Sequence, residues 1–186
     1  MKELMRALLI FIVLSLITGL AYPLVITGLS ALFFPEKAAG SLVMDRGRVV
    51  GAALIGQKFA APRYFHGRPS ANEYDASNSG GANLGPASAQ FIQEVKARVE
   101  QTRREDNLRP GSPIPADLVL ASASGLDPDI SVEAAFIQIP RVARERAVSE
   151  EALKDLLART AEGQPSWVEP RVNLLRLNMA IDRLRP

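Results

Sequence analysis

From Ala7 to Phe34 the chain runs for 28 residues without one Asp, Glu, Lys or Arg. As a helix this stretch is about 42 Å long, at about 1.5 Å per residue, and exceeds a hydrocarbon core of about 30 Å. The apolar part of a cleaved secretory leader is only about 7–15 residues, so the segment reads as an uncleaved single-pass anchor and Ala38-Ala39-Gly40 as linker. All of the 22 Lys+Arg and 20 Asp+Glu lie outside the apolar stretch. With 47% hydrophobic and 23% charged residues overall, neither a disordered chain nor a multispan membrane protein fits. The organisation that follows is an anchor at 1–34 with its span at 7–34, a linker at 35–40, and one soluble domain at 41–186. That domain is long enough to bury a core of its own.

Orientation is not settled by charge, because Lys2 and Arg6 on one side face Lys37, Arg46 and Arg48 on the other. A long C-terminal domain translocates largely regardless of its charge. The N-terminus is therefore expected in the cytoplasm and residues 41–186 outside it. Within the span, Ser15, Gly19, Pro23, Thr27 and Ala31 recur at intervals of four. Small residues at that spacing form a slanting stripe on which a second membrane helix can approach closely. Pro23 also frees the carbonyl of Gly19, which predicts a partner or a local kink there.

The soluble part reads as mixed α/β, of the α+β kind. Ser41–Asp45 and Arg48–Ile55 predict a hairpin turning at Arg46-Gly47. From Lys58 to Gly85 no apolar period appears, and a long ordered loop is expected. Pro86 opens an amphipathic helix over 87–106, with Phe91, Ile92, Val95 and Val99 on one face and Glu94–Arg98 and Glu100–Arg104 pairs on the other. Asp117–Ala121 suggests a buried strand. Ser131 caps a helix from Val132 that Pro140 should interrupt, and Ser149 caps Glu150–Ala161 with Leu153, Leu156 and Leu157 inward. Arg171–Leu175 suggests a last strand, followed by Leu177, Ile181 and Leu184 at helical spacing.

Most catalytic chemistries are excluded by what is missing. The absence of cysteine removes disulfides, thiolate nucleophiles and Cys-ligated zinc. No run of Lys or Arg marks a nucleic-acid surface. Gly51…Gly56-Gln-Lys58 has the outer spacing of a P-loop, but the lysine falls one residue late and no Ser or Thr follows for Mg²⁺. Ser122-Ala-Ser124-Gly125 is half a nucleophile elbow without the leading glycine, and His66 is the only histidine available as a base. Asp127 and Asp129 flank Pro128 as turn formers rather than as metal ligands. One stretch, Ser79-Gly-Gly-Ala-Asn83, offers successive backbone N–H groups that could form an anion nest, but from local sequence alone a tight turn shaped by its two glycines and asparagine is the preferred reading.

Six phrases in order along the chain carry a resemblance. They are Leu54–Phe59, Tyr64–Ala71, Ser79–Pro86, Ala121–Ser131, Gln138–Ala143 and Arg171–Asn178. Together they resemble the KdpC family, the C subunits of the Kdp potassium-transporting ATPase. The resemblance implies a non-catalytic accessory subunit of the bacterial inner membrane, with one span and a large soluble domain. Its implied partners are a potassium-channel-like A subunit, an ATP-hydrolysing P-type B subunit and a small F subunit. It also implies a catalytic chaperone that raises the ATP affinity of the B subunit, with no tightly bound cofactor and ATP held only in a ternary complex. Ser79, Gly80, Gly81 and Asn83 are the implied nucleotide contacts, and Ala82 lacks a hydroxyl usual in that loop. The implied ATP contact conflicts with an extracytoplasmic domain. The alternative to the family reading is a free-standing anchored hydrolase or binding protein that uses Ser122, Ser124 or His66.

Overall fold

The computed structural model describes residues 1–162 and 169–184. The chain divides into two units, Met1–Val50 and Gly51–Pro186.

In the first unit, α1 (Lys2–Leu16), a π turn (Ile17–Ala21) and α2 (Tyr22–Phe33) make one continuous helix of 32 residues. Its mean hydropathy reaches 2.5 and none of it is buried within the protein. It is long and apolar enough to cross a membrane. The π turn answers the constraint set by Pro23. The ring removes one donor and crowds the carbonyl four residues back, and the helix widens so that the Tyr22 N–H reaches the carbonyl of Ile17, five residues earlier. One turn before, the Thr18 hydroxyl donates to the carbonyl of Leu14 at 2.8 Å. A single turn, α3 (Pro35–Ala38), follows. Strands β1 (Leu42–Asp45) and β2 (Arg48–Ala52) then pair across Arg46 and Gly47. Both turn residues have positive φ, 47° and 77°, as a two-residue hairpin loop of this hand requires. β2 stops at Ala52, short of the expected Ile55.

The second unit is helical, with one small sheet. Its elements are α4 (Ala89–Glu105), α5 (Ala116–Val119), β3 (Asp129–Ser131), α6 (Val132–Arg146), α7 (Glu150–Thr160), β4 (Ala161–Glu162), β5 (Arg171–Asn173) and α8 (Leu174–Asp182). The strands lie in the order β3-β5-β4, antiparallel throughout, with Val172 opposite both Ile130 and Ala161. The α+β expectation is met. The core joins Ala134, Ala135, Ile139 and Val142 of α6, Leu153 and Leu157 of α7, and Leu174, Leu177 and Ile181 of α8 to Ile130, Val172 and Phe65. Burying each of the larger side chains contributes about 1.5–3 kcal/mol.

The predicted caps are in place: the side chains of Ser131 and Ser149 accept from the N–H groups of Ala134 at 3.0 Å and Ala152 at 3.2 Å. Several other expectations are corrected. Asp117–Ala121 is not a strand; Pro115 starts the helical turn α5, and the Asp117 carboxylate accepts from the Ser131 N–H and hydroxyl instead of facing solvent. Pro140 does not break α6, which runs on to Arg146. Pro140 is exposed, so the carbonyl it orphans can meet water. The strand from Arg171 ends at Asn173, because that side chain caps α8 through the Arg176 N–H at 3.1 Å. On α4, Ile92 is exposed while Phe91, Val95 and Val99 are half-buried. Glu94 does pair with Arg98, but Glu100 takes Arg103 rather than Arg104.

Ser131 has two tasks, capping α6 and donating to the buried Asp117 carboxylate, whereas Ser149 only caps an exposed start. Ser131→Ala is expected to cost about 2 kcal/mol and Ser149→Ala about 1 kcal/mol. Urea unfolding of the full chain in detergent micelles, followed by circular dichroism, checks the order.

Candidate functional site

The segment Pro62–His66 has no strand or helix partner, and it runs from exposed Pro62 and Arg63 into the core at Phe65. Phe65 is fully buried. Buried backbone groups must be hydrogen-bonded, and here side chains of α6 and α8 bond them one residue after another. Arg141 donates to the carbonyls of Pro62 and Tyr64, and Arg146 donates to that of Arg63 at 2.7 Å. Asn178 accepts from the Phe65 N–H at 2.9 Å and donates to the Phe65 carbonyl at 3.0 Å. Gln138 does the same for His66, at 2.7 and 3.1 Å. Each amide thus acts as a short stretch of strand. Arg141 also donates to Gln138 at 2.7 Å and pairs with Asp106 at 2.8 Å, both ion-pair partners being almost wholly buried. Burial pushes the Asp106 carboxyl above its ordinary range, and the Arg141 guanidinium opposes that rise.

The chain beyond this clamp is fixed just as tightly. The Tyr74 hydroxyl donates to the carbonyl of Arg68, and burial pushes its pKa up to about 12. Arg68 pairs with Asp127 at 2.9 Å. The Ser122 N–H donates to the carbonyl of Pro69 at 3.1 Å.

Between α4 and residues 58–74 lies a cleft of about 390 Å³. One helical face of α4, Arg98, Gln101, Thr102 and Glu105, forms its wall, and His66 and Tyr74 face it. The His66 ring stands 3.6 Å from Glu105 and bonds the carbonyl of Ala61 at 3.3 Å. Burial, followed by the charge of Arg141, holds His66 below its usual range of about 6.5, so the imidazole is neutral at pH 7.

Of the residues singled out in the sequence, Ser79–Asn83 lie against the 123–125 turn. The Gly80 N–H and the Ser79 hydroxyl both donate to the carbonyl of Ser124, at 2.9 and 3.0 Å. A Cβ on Gly81 would stand 2.9 Å from the Ala123 carbonyl oxygen, and one on Gly125 would stand 2.2 Å from Asn72 Oδ1. Asn83 has φ 52°. Two of the four residues therefore direct donors to the protein itself. The start of α4 is capped by its own Ser88.

His66 bonds neither Ser122 nor Ser124, and Ser122 is buried. Asp127 serves Arg68 and the Asp129 N–H, while Asp129 accepts from Asn173. Gly51 and Gly56 are packed against Gln57 and the Asp127 carbonyl, leaving no room for a phosphate loop. Among the described residues no group of three or more His, Cys, Asp or Glu could hold a metal. The stripe residues Ser15, Gly19, Pro23, Thr27 and Ala31 are all exposed. The sequence reading missed Gln138, Arg141, Asn178 and Asp106. The signal was there: Gln138 and Arg141 share the buried face of α6 with Ala134, Ile139 and Val142, and a polar residue on such a face needs a partner.

Among the described residues one helix is long and apolar enough to cross a membrane, and it precedes an α+β region. The chain belongs to the KdpC family, described as the K⁺-transporting ATPase c chain, which it matches over residues 4–183. It is 50% identical to a potassium-transporting ATPase KdpC subunit of Methylobacterium nodulans, with 99% of this chain and 98% of the relative covered. The corresponding subunit of Bradyrhizobium diazoefficiens is 47% identical with 98% of each covered, and that of Koribacter versatilis 47% with 100% and 96% covered.

Arg141→Met leaves Asp106 unpaired in the core and two carbonyls without donors. It is expected to cost about 3–5 kcal/mol. Adding Asp106→Leu should recover the part due to the stranded carboxylate, but not the part due to the carbonyls. A double-mutant cycle on the urea midpoint of the full chain measures both.

Proposed function

We propose that this chain is the non-catalytic accessory subunit of an ATP-driven potassium-import complex of the bacterial inner membrane. Its span docks on the membrane subunits of that complex: the channel-like A subunit, the P-type B subunit and the small F subunit. The N-terminus is cytoplasmic and the C-terminal domain lies outside the cytoplasm. The observation that carries this reading is the recurrence of Ser15, Gly19, Pro23, Thr27 and Ala31 at intervals of four on one helix long and apolar enough to cross a membrane. In lipid, helices associate by close packing of such small residues rather than by a hydrophobic drive. An α-helical stripe at intervals of four drifts by about 40° per step. The π turn takes more residues to go round, which reduces the drift beside Gly19 and straightens the stripe. The family, and relatives that are potassium-transporting ATPase subunits, supply the transported ion.

In this reading the domain supports the assembly and acts on the transport cycle by its contacts, with no chemistry of its own. The catalytic-chaperone role, ATP held between Ser79–Asn83 and the B subunit, has less support. The donors of Ser79 and Gly80 are directed to Ser124, and an extracytoplasmic domain does not meet cytoplasmic ATP.

Gly19→Leu combined with Thr27→Leu is expected to remove the subunit from the complex purified through its larger partner; retention at full stoichiometry overturns the docking role. Because the chain has no cysteine, Ala97→Cys on the exposed side of α4 gives a clean reporter of sidedness. A membrane-impermeant maleimide should label it in intact spheroplasts. Labelling only after lysis would place the domain inside and restore Ser79–Asn83 as the nucleotide contact.

A further inference from the structure

Beyond the membrane-length helix, the hairpin β1–β2 carries four large apolar side chains in the open. They are Leu42, Met44, Val49 and Val50, each at least 39% exposed. Strand residues alternate between the two faces of a sheet. The two-residue loop at Arg46 and Gly47 sets Asp45 opposite Arg48, and hence Met44 opposite Val49. Leu42, Met44 and Val49 therefore share one face. A hairpin of only two strands is marginal in water, and it becomes stable when something covers its apolar face.

The hairpin is tied to the end of the helix by a short, hydrogen-bonded connection. Phe34 leaves helical geometry, at φ -137° and ψ 54°, so α3 does not continue the axis of α2. The N–H groups of Ala38, Ala39, Gly40 and Ser41 then donate to the carbonyls of Phe34, Pro35, Lys37 and Glu36, at 2.9, 2.9, 3.0 and 2.9 Å. Gly40 and Ser41 close this turn with positive φ, 90° and 52°. The path from Phe33 to Leu42 is thus shorter than the roughly 30 Å that the same residues would span if extended.

We propose that the Leu42, Met44 and Val49 face of the hairpin rests in the membrane surface, at the boundary of head groups and acyl chains, where Lys37, Arg46 and Arg48 meet the phosphates of anionic lipid. Continuity favours lipid as the occupant, because helix and apolar face belong to one unit and the connection between them is short. Charge favours it too. Residues 36–48 carry three cations, Lys37, Arg46 and Arg48, against two carboxylates, Glu36 and Asp45, and all three cations are exposed. Apolar side chains beside exposed cations are the composition of segments that lie in the interface plane. The Lys37 ammonium stands 5.8 Å from the centre of the Phe34 ring, a pairing of aromatic body and cation suited to head-group level. The inference rests on the helix being a span and needs no other subunit.

Because the chain has no cysteine, Met44→Cys can carry a polarity-sensitive fluorophore alone, with Ala97→Cys on α4 as the water-facing control. The full chain is placed in vesicles of phosphatidylcholine and phosphatidylglycerol, with or without a nitroxide on a shallow acyl carbon. The probe at 44 should be quenched by the nitroxide lipid at least about twofold more than the probe at 97, and should be protected from aqueous iodide. Arg46→Gln with Arg48→Gln should lower that quenching in the mixed vesicles and leave it unchanged in phosphatidylcholine alone. In the complex purified through its larger partner and held in nanodiscs of the same lipids, the probe at 44 should still be quenched. Alkaline extraction, which leaves a spanning chain in the vesicles, separates failure of the hairpin to seat from failure of the helix to span. Equal quenching of the two probes in an extraction-resistant chain overturns the proposal, as does indifference to the paired arginine changes. Loss of quenching in the complex overturns it as well and gives the face to a protein neighbour.

Discussion

The second unit depends on hydrogen-bonding a stretch of irregular backbone inside its core. Pro62–His66 carries Phe65 to the centre of the helices without a ladder of its own, and an unpartnered buried peptide group costs about 1–3 kcal/mol. Four side chains, Gln138, Arg141 and Arg146 from α6 and Asn178 from α8, supply most of its backbone bonds, and the Tyr64 N–H turns back to the carbonyl of Ala61. Arginine suits this task because its guanidinium presents several donors in one rigid plane. Arg141 uses them on Asp106, Gln138, Pro62 and Tyr64 at once. Partly satisfied, such a network would be worse than an apolar core; fully satisfied, it fixes a single arrangement.

That clamp gives a physical reason for the phrases by which the family is recognised. Tyr64–Ala71 holds the inner part of the clamped backbone, Gln138–Ala143 holds two of the four clamping side chains, and Arg171–Asn178 holds another together with the Asn173 cap. Ser79–Pro86 and Ala121–Ser131 interlock through Ser124, Gly81 and Gly125. Within these phrases several residues answer a particular neighbour distant in the chain.

The same fact marks where sequence reading stops. An apolar helix long enough to cross a membrane was legible from 28 uncharged residues, and the local distortion at Pro23 was legible from the residue itself. Ser131 and Ser149 could be read as caps because capping is local. The errors are tertiary: the Asp117–Ala121 run forms a turn because its carboxylate is wanted by Ser131, and Asn173 ends a strand because its side chain starts a helix. Ser79–Asn83 offers free donors when read alone and bonded ones once Ser124 is beside it. Gln138 and Arg141 were the readable sign that was missed, two polar residues on a face that periodicity assigns to the core.

A domain that turns so many polar groups inward leaves few for other molecules. In the cleft, four ion pairs close within the protein: Lys58 with Glu73, Arg68 with Asp127, Arg98 with Glu94 and Asp106 with Arg141. Turned inward in this way, the polar groups fix residues 62–66 against α6 and α8 rather than face solvent.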